Sequence, residues 1–154
     1  AARGHTLERG QAFPTLGNLL VWRSLYAHEG KLYSDRIRVA LNGEVLWTAG
    51  QEAVLVELED LPGPWNAHPR AREDFQRFAW FSDRWVASPE GDPGLYGDAR
   101  YSLRTEAFDP IWGIRFEEGG DRPTRWVSRT RERELGLAVL WAEIRGTDPR
   151  YREL

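Results

Sequence analysis

The chain has 154 residues, of which 41% are hydrophobic and 29% charged, and its formal net charge at pH 7 is −3. This composition indicates a folded domain rather than a disordered chain, and the acidic balance argues against a nucleic-acid partner. The absence of cysteine excludes disulfides and thiolate metal sites. The sequence also lacks methionine, so we expect a piece of a longer protein. No apolar run approaches the ~20 residues that a membrane-spanning helix needs.

The first part of the chain predicts a tail followed by a β-hairpin. Residues 1–11 are polar and are interpreted as a truncated linker or helix end, and residues 12–154 as a single soluble α+β domain. A strand is predicted from Asn18 to His28, a tight turn at Glu29-Gly30, and a returning strand from Leu32 to Leu41. A two-residue turn fixes the register of the hairpin.

That register separates the two faces of the hairpin. It places Trp22 opposite Ile37 on a predicted core face. Three arginines, Arg23, Arg36 and Arg38, collect on the other face, which is predicted to be exposed. Guanidinium groups bind phosphate, carboxylate and lipid headgroups, so this face is a candidate anion site. A solvated face, or one paired with nearby carboxylates, is the alternative.

Further strands and two helices follow along the chain. Helical spacing of Ala71, Phe75, Phe78 and Ser82 predicts a helix over about residues 68–81, with Trp80 and Phe81 widening its apolar stripe. His68 or Asn66 can cap this helix. A second helix is predicted over about residues 130–145, with Leu135, Val139, Leu140 and Ile144 turned inward. The remaining predicted strands are 44–48, 53–58, 84–88, 95–104 and 111–117.

These elements predict an α+β fold. We expect a largely antiparallel β-sheet of about six strands with the two helices packed on one face. Residues 95–104 show the clearest alternation and are interpreted as a half-buried strand.

A second candidate site lies on that strand. Asp98 and Arg100 are two residues apart and therefore share a face, and Trp112 and Arg115 are expected nearby. A carboxylate beside a guanidinium can orient a substrate. The alternative is an internal ion pair that fixes the strand register, with Asp98 accepting hydrogen bonds from Arg100 or Arg115.

The sequence gives no metal-ligand pattern. The three histidines, His5, His28 and His68, are far apart and show none of the spacings of zinc sites. We therefore predict no metal site and no cofactor in this chain, and the catalytic residues remain unknown.

Several separated motifs, in this order, resemble the membrane-bound metal-dependent hydrolase family (predicted inner-membrane hydrolases). They are Pro14-Thr15, Asn18-Leu19-Leu20-Val21-Trp22-Arg23 with the hairpin through Tyr33, Phe78-Ala79-Trp80-Phe81-Ser82-Asp83, Gly97-Asp98-Ala99-Arg100-Tyr101, and Trp112-Gly113-Ile114-Arg115-Phe116. The resemblance covers about residues 12–118.

The resemblance implies that this chain is the C-terminal soluble domain of such a protein. In that family, transmembrane helices come first and carry the histidines and acidic residues behind the hydrolase label. A divalent metal would then be held by the missing membrane half, and the isolated fragment is expected to be inactive. The implied partners are the chain's own transmembrane domain and membrane lipid headgroups, at the inner membrane of a bacterium or archaeon. A non-catalytic binding module for a lipid headgroup, glycan or protein is the alternative function.

Overall fold

The computed structural model describes residues 3–15, 18–118, 122–129, 141, 144–145 and 152–153. These residues build one ten-stranded sheet whose strand pairs are antiparallel. The strands are β1 (Arg9–Pro14), β2 (Val21–His28), β3 (Lys31–Val39), β4 (Val45–Thr48), β5 (Glu52–Leu55), β6 (Val86–Ser88), β7 (Leu95–Asp98), β8 (Trp112–Phe116), β9 (Thr124–Ser128) and β10 (Arg152–Glu153). A 3-10 helix (Leu58–Asp60), α1 (Gly63–Asn66) and α2 (Pro69–Phe81) lie between β5 and β6.

The β2–β3 hairpin has the predicted register. Tyr26 faces Tyr33 and Trp22 faces Ile37. The turn residues Glu29 and Gly30 have φ angles of 50° and 73°, and this pair of left-handed residues makes the type I′ turn that matches strand twist. A two-residue turn between two apolar strands was therefore sufficient to fix this pairing.

Strand β3 pairs with two strands along the same edge. Its second half pairs with β4, where Arg36 faces Thr48, and its first half with β5, where Tyr33 faces Glu52. The chain between Thr48 and Glu52 is one residue longer than the facing part of β3, which makes a β-bulge. A Cβ atom on Gly50 would lie 1.9 Å from the Ser34 carbonyl oxygen, so this bulge requires glycine.

Helix α2 covers one face of the sheet, which we call the outer face. It begins as predicted, with the His68 ring accepting a hydrogen bond from the Ala71 amide at 3.4 Å. The predicted stripe of Ala71, Phe75, Phe78 and Ser82 is buried. Phe75 and Phe78 pack in a hydrophobic cluster with Val86, Tyr96 and Ile114 of the sheet.

The opposite face, which we call the inner face, carries a separate core. Leu25, Leu32 and Ala87 pack there with Trp85 and Phe108. Phe108 comes from the segment of residues 99–111, which connects β7 to β8. Since Val86 and Ala87 are neighbours on one strand and join different clusters, the sheet separates the two cores.

The predicted number of strands is wrong, although the class is roughly α+β. The described residues form ten strands instead of about six, and the helices among them are short. Three strands were missed, namely β1, β9 and β10. β1 and β9 are the mostly exposed edge strands at the two ends of the strand order. An edge strand without a buried face shows no clear alternation of apolar and polar residues. Most of the predicted helix 130–145 lies outside the described residues.

Two local predictions are also wrong. Residues 9–11 belong to β1, although residues 1–11 were interpreted as a linker or helix end. The strand predicted over 95–104 ends at Asp98, because an Asp98 carboxylate oxygen accepts a hydrogen bond from the Arg100 amide at 3.0 Å. Such a side-chain bond replaces the next ladder bond and turns the chain.

Candidate functional site

A cleft of about 1170 Å³ opens on the inner face of the sheet. The β4–β5 bulge and residues 89–92 form part of its wall, and residues 104–109 form another part. Leu95, Arg115 and Val127 contribute the sheet surface. The cleft therefore exists because the bulge, a turn and the β7–β8 connection meet over strands β7, β8 and β9.

The cleft contains arginine–carboxylate pairs. Arg115 pairs with Asp92, and Arg129 pairs with Asp109. Arg104 lies 3.5 Å from the same Asp109 carboxylate. The side chains of Arg115 and Asp92 are 31% and 42% exposed, so the pair remains accessible. Its hydrogen bond to Asp92 raises the pKa of Arg115 above its usual value.

Of the residues predicted to form a site, Arg115 lines this cleft. Of the two predicted donors to Asp98, Arg100 is the one that bonds it; Arg115 points to the inner face and Asp98 to the outer face. Asp92, Arg104, Asp109 and Arg129 were not predicted as site residues. They come from separate turns and connections, and the nearest sequence signal was the turn-forming stretch at residues 89–94.

The predicted arginine face of the hairpin is largely buried. Arg23 is 3% exposed and Arg36 is fully buried, so the prediction of a solvated face is wrong for these two. The Arg23 guanidinium donates to the carbonyl oxygens of Ala99 at 2.9 Å and of Thr105. Desolvation lowers the pKa of Arg23 to about 9. Arg23 therefore holds the β7–β8 connection against the hairpin.

Arg36 is also held inside the protein, and Arg38 is partly buried. Arg36 lies 3.5 Å from the Glu106 carboxylate, and Arg38 donates to the Ile144 carbonyl at 3.4 Å. The predicted core residue Trp22, in contrast, is only partly buried. The burial of this hairpin end is thus reversed relative to the sequence prediction, because the 99–111 connection packs on the arginine side.

Asp98, Arg100 and Trp112 form a compact polar cluster. Asp98 is fully buried, and Arg100 donates to its two carboxylate oxygens at 3.0 and 2.8 Å. The Trp112 indole donates to the same carboxylate at 3.0 Å. This bond pattern raises the pKa of Arg100, with the hydrogen bond to Asp98 as the main cause. This geometry agrees with the alternative in which Asp98 and Arg100 form an internal ion pair.

Two histidines that are far apart in the sequence meet at the end of the hairpin. The rings of His5 and His28 stack at 4.5 Å, and His5 Nδ1 lies 3.1 Å from the Tyr26 hydroxyl. Burial raises the pKa of Tyr26 to about 12. This contact was not predicted from the sequence because β1 was not predicted, and the pairing of β1 with β2 is what brings residues 5–9 to the hairpin.

An exposed aromatic surface, made of Trp80, Phe81 and Trp126, lies beside the end of α2. Their exposed fractions are 84%, 45% and 53%. The rings of Phe81 and Trp126 are 5.9 Å apart, and Phe78 lies beneath Trp126 at 6.0 Å. Trp80 and Phe81 were predicted to widen the apolar stripe of the helix. Phe81 packs against Trp112 of the sheet at 6.3 Å, but Trp80 lies two residues after buried Phe78, on the opposite side of the helix.

Within the part of the chain that the structure describes, no group of three or more His, Cys, Asp or Glu side chains is arranged to hold a metal ion. Among the same residues, no helix combines the length and the apolar character needed to cross a bilayer. Comparison of the chain with protein-family models, curated proteins and solved structures finds no match. The resemblance to membrane-bound metal-dependent hydrolases therefore stays a prediction.

Proposed function

We propose that this chain is a non-catalytic binding domain that docks on the interfacial layer of a membrane through Trp80, Phe81 and Trp126. The observation that carries the proposal is the exposure of these three aromatic side chains, two at the end of α2 and one on β9. An exposed aromatic patch on a folded domain is typical of a docking surface. Indole rings favour the lipid–water boundary, because they combine a large apolar ring with one N–H donor.

The charges around the aromatic surface favour an uncharged partner. Arg77, one turn before Phe81, lies 2.5 Å from the Glu73 carboxylate. Arg84 lies 2.8 Å from Glu57. Arg100, whose guanidinium lies 6.0 Å from the Phe81 ring, is paired with Asp98. Since these cations are already neutralised and the chain carries a net charge of −3, an anionic surface gains little from them.

The bilayer interface fits this combination. Aromatic side chains can bind at the lipid–water boundary of a zwitterionic bilayer without help from cationic side chains. The same docking suits the role that the family resemblance implies, an extramembrane domain whose metal-dependent catalytic site lies elsewhere. The domain would then be held flat against the membrane that contains its own transmembrane part.

Sedimentation with large unilamellar phosphatidylcholine vesicles tests the proposal. We expect the wild-type chain to bind, and addition of phosphatidylglycerol to leave binding unchanged or weaker. Trp80→Ala should lower the vesicle partition coefficient about tenfold, since burial of an indole is worth at least ~1.4 kcal/mol. Trp80 is 84% exposed, so this variant should keep its fold.

Trp141→Ala is the matched control, because Trp141 is 55% exposed and contacts Arg145 away from the aromatic surface. This variant should bind vesicles like the wild type. Vesicle binding that is absent, or equal in Trp80→Ala and wild type, would overturn the proposal. Self-association that Trp80→Ala abolishes would instead assign the surface to a second copy of the chain.

A further inference from the structure

The inner-face cleft lies on the opposite side of the sheet from the aromatic surface. Arg115 lines the cleft, whereas its neighbour Ile114 packs under α2. Neighbouring residues of a strand point to opposite faces, so a molecule in the cleft and a membrane at the aromatic surface do not compete. The cleft and the aromatic surface can therefore be occupied independently.

The cleft presents hydrogen-bond donors and acceptors side by side. Arg115 and Asp92 are paired but partly exposed, and so are Arg129 and Asp109, at 32% and 22%. A guanidinium carries five N–H donors and a carboxylate about four acceptor positions. The hydrogen bond between Arg115 and Asp92 uses only a small part of that capacity. The amide of Gln51, on the bulge, adds an uncharged polar group to the same wall.

The pairing of these charges selects against charged ligands. A phosphate or carboxylate would have to compete with Asp92 for Arg115, and with Asp109 for Arg129. A cationic ligand would have to compete with the same arginines for the carboxylates. An exchange of one ion pair for another yields little net binding energy, because the displaced partner loses its own pair.

A neutral polyhydroxylated ligand avoids this exchange. Each hydroxyl group both donates and accepts, so it can donate to Asp92 or Asp109 while it accepts from the paired guanidinium. Hydrogen bonds to ionised groups are stronger than those between neutral groups. The cleft volume of about 1170 Å³ exceeds the range of ~300–1,000 Å³ that is usual for small-molecule pockets, which favours more than one sugar ring.

We infer that the inner-face cleft is a binding site for a neutral oligosaccharide. Asp92–Arg115 and Asp109–Arg129 supply paired acceptors and donors for its hydroxyl groups. The role of each pair is to bind and orient the ligand, and no bond of the ligand is made or broken.

Titrations followed by NMR amide shifts test the inference with a matched set of probes. The neutral probes are maltotriose, cellotriose, mannotriose and triacetylchitotriose. Trigalacturonic acid is the anionic probe and the deacetylated chitosan trimer the cationic one. We expect at least one neutral trisaccharide to shift the amide signals of residues 90–92 and 127–129 saturably, with an affinity that salt does not change. The charged trisaccharides should bind more weakly.

The variant Asp92→Asn distinguishes specific binding in the cleft from nonspecific binding to the protein surface. The variant leaves the Arg115 guanidinium without its carboxylate and removes a charged acceptor. It should weaken neutral trisaccharide binding about tenfold, as expected for one charge-assisted hydrogen bond, and should create binding of trigalacturonic acid. Glu73→Gln is the control, because it removes an exposed ion pair with Arg77 on α2, outside the cleft lining and on the other face of the sheet. This control should bind like the wild type.

Each alternative result has a definite meaning. If none of the neutral trisaccharides shifts the cleft amides, the inference is overturned. It is also overturned if trigalacturonic acid binds the wild type better than the neutral probes, because the cleft is then an anion site. Equal losses of binding in Asp92→Asn and Glu73→Gln would place the ligand outside the cleft.

Discussion

At the scale of single residues, charged side chains that are buried in the described part of the protein have specific hydrogen-bond partners. Asp98 is fully buried, but Arg100 and Trp112 both donate to its carboxylate. Arg23 is buried against backbone carbonyls of the 99–111 connection. Desolvation of a charge is expensive unless hydrogen bonds compensate for it. These residues therefore specify how the connection sits against the sheet.

Asp98 provides a direct test of this view. Asp98→Ala should lower the free energy of unfolding by ~3–5 kcal/mol, because Arg100 is left without its carboxylate in a largely buried site. Replacement of both Asp98 and Arg100 by leucine should recover much of that loss. Equilibrium urea denaturation followed by tryptophan fluorescence measures these changes.

The control for this prediction is Arg125→Ala, which removes an exposed ion pair with Glu117. Its effect should stay within ~1 kcal/mol. A similarly small effect of Asp98→Ala would show that the Asp98 cluster is not structural. Its polar groups would then have to be considered for ligand binding.

At the scale of elements, α2 ends in a turn that is unusual for its residues. Asp83 and Arg84 have φ angles of 49° and 59°, and the Arg84 amide donates to the Ala79 carbonyl at 2.6 Å. This bond closes the helix end in the manner of a Schellman motif, in which glycine is the usual left-handed residue. Trp80 and Phe81 lie immediately before this turn and are therefore held at a fixed helix end.

The left-handed conformation predicts an unusual stability order at Arg84. Arg84→Gly should be more stable than Arg84→Ala by ~1 kcal/mol, because both variants lose the contact with Glu57 but only alanine keeps the steric cost of positive φ. The comparison is made by urea denaturation of the two variants.

The same pair of substitutions at Arg77 is the control, since Arg77 lies within α2 with an exposed side chain. There alanine should be more stable than glycine by ~1 kcal/mol, as helix propensity requires. The same order at both positions would contradict the left-handed assignment of Arg84.

At the scale of the whole molecule, Gly50 is the position where separate parts of the fold approach most closely. A Cβ atom there would lie 1.9 Å from the Ser34 carbonyl oxygen and 2.5 Å from that of Glu106. Gly50 thus connects β3, the bulge and the segment that fills the inner face. It also borders the cleft.

Gly50→Ala should therefore destabilise the protein by ~3 kcal/mol or more, since rigid backbone atoms must move to admit the methyl group. The shift of the bulge should also weaken binding in the cleft. Gly63→Ala is the control, because a Cβ at Gly63 meets nothing within 4 Å. Unfolding measurements that give equal stability for the two variants would contradict the close packing at Gly50.

Much of the local structure could be predicted from the sequence. The two-residue turn at Glu29-Gly30 and the apolar strands beside it determined the hairpin register. The spacing of Ala71, Phe75 and Phe78, with Pro69 at the first turn, determined α2. In each case the signal comes from residues that interact within one element or across one tight turn, so the pattern is visible in a short stretch of sequence.

Only the tertiary structure decided which faces are buried and which surfaces remain free. Arg23 is inside because the 99–111 connection covers it, and Trp80 is outside because it lies on the side of α2 opposite to the residues that pack on the sheet. The cleft pairs, such as Asp92 with Arg115, join residues from a turn and a strand that the sequence does not relate. Edge strands such as β1 carry no buried face, so their place depends on backbone bonds to a neighbour rather than on a hydrophobic pattern.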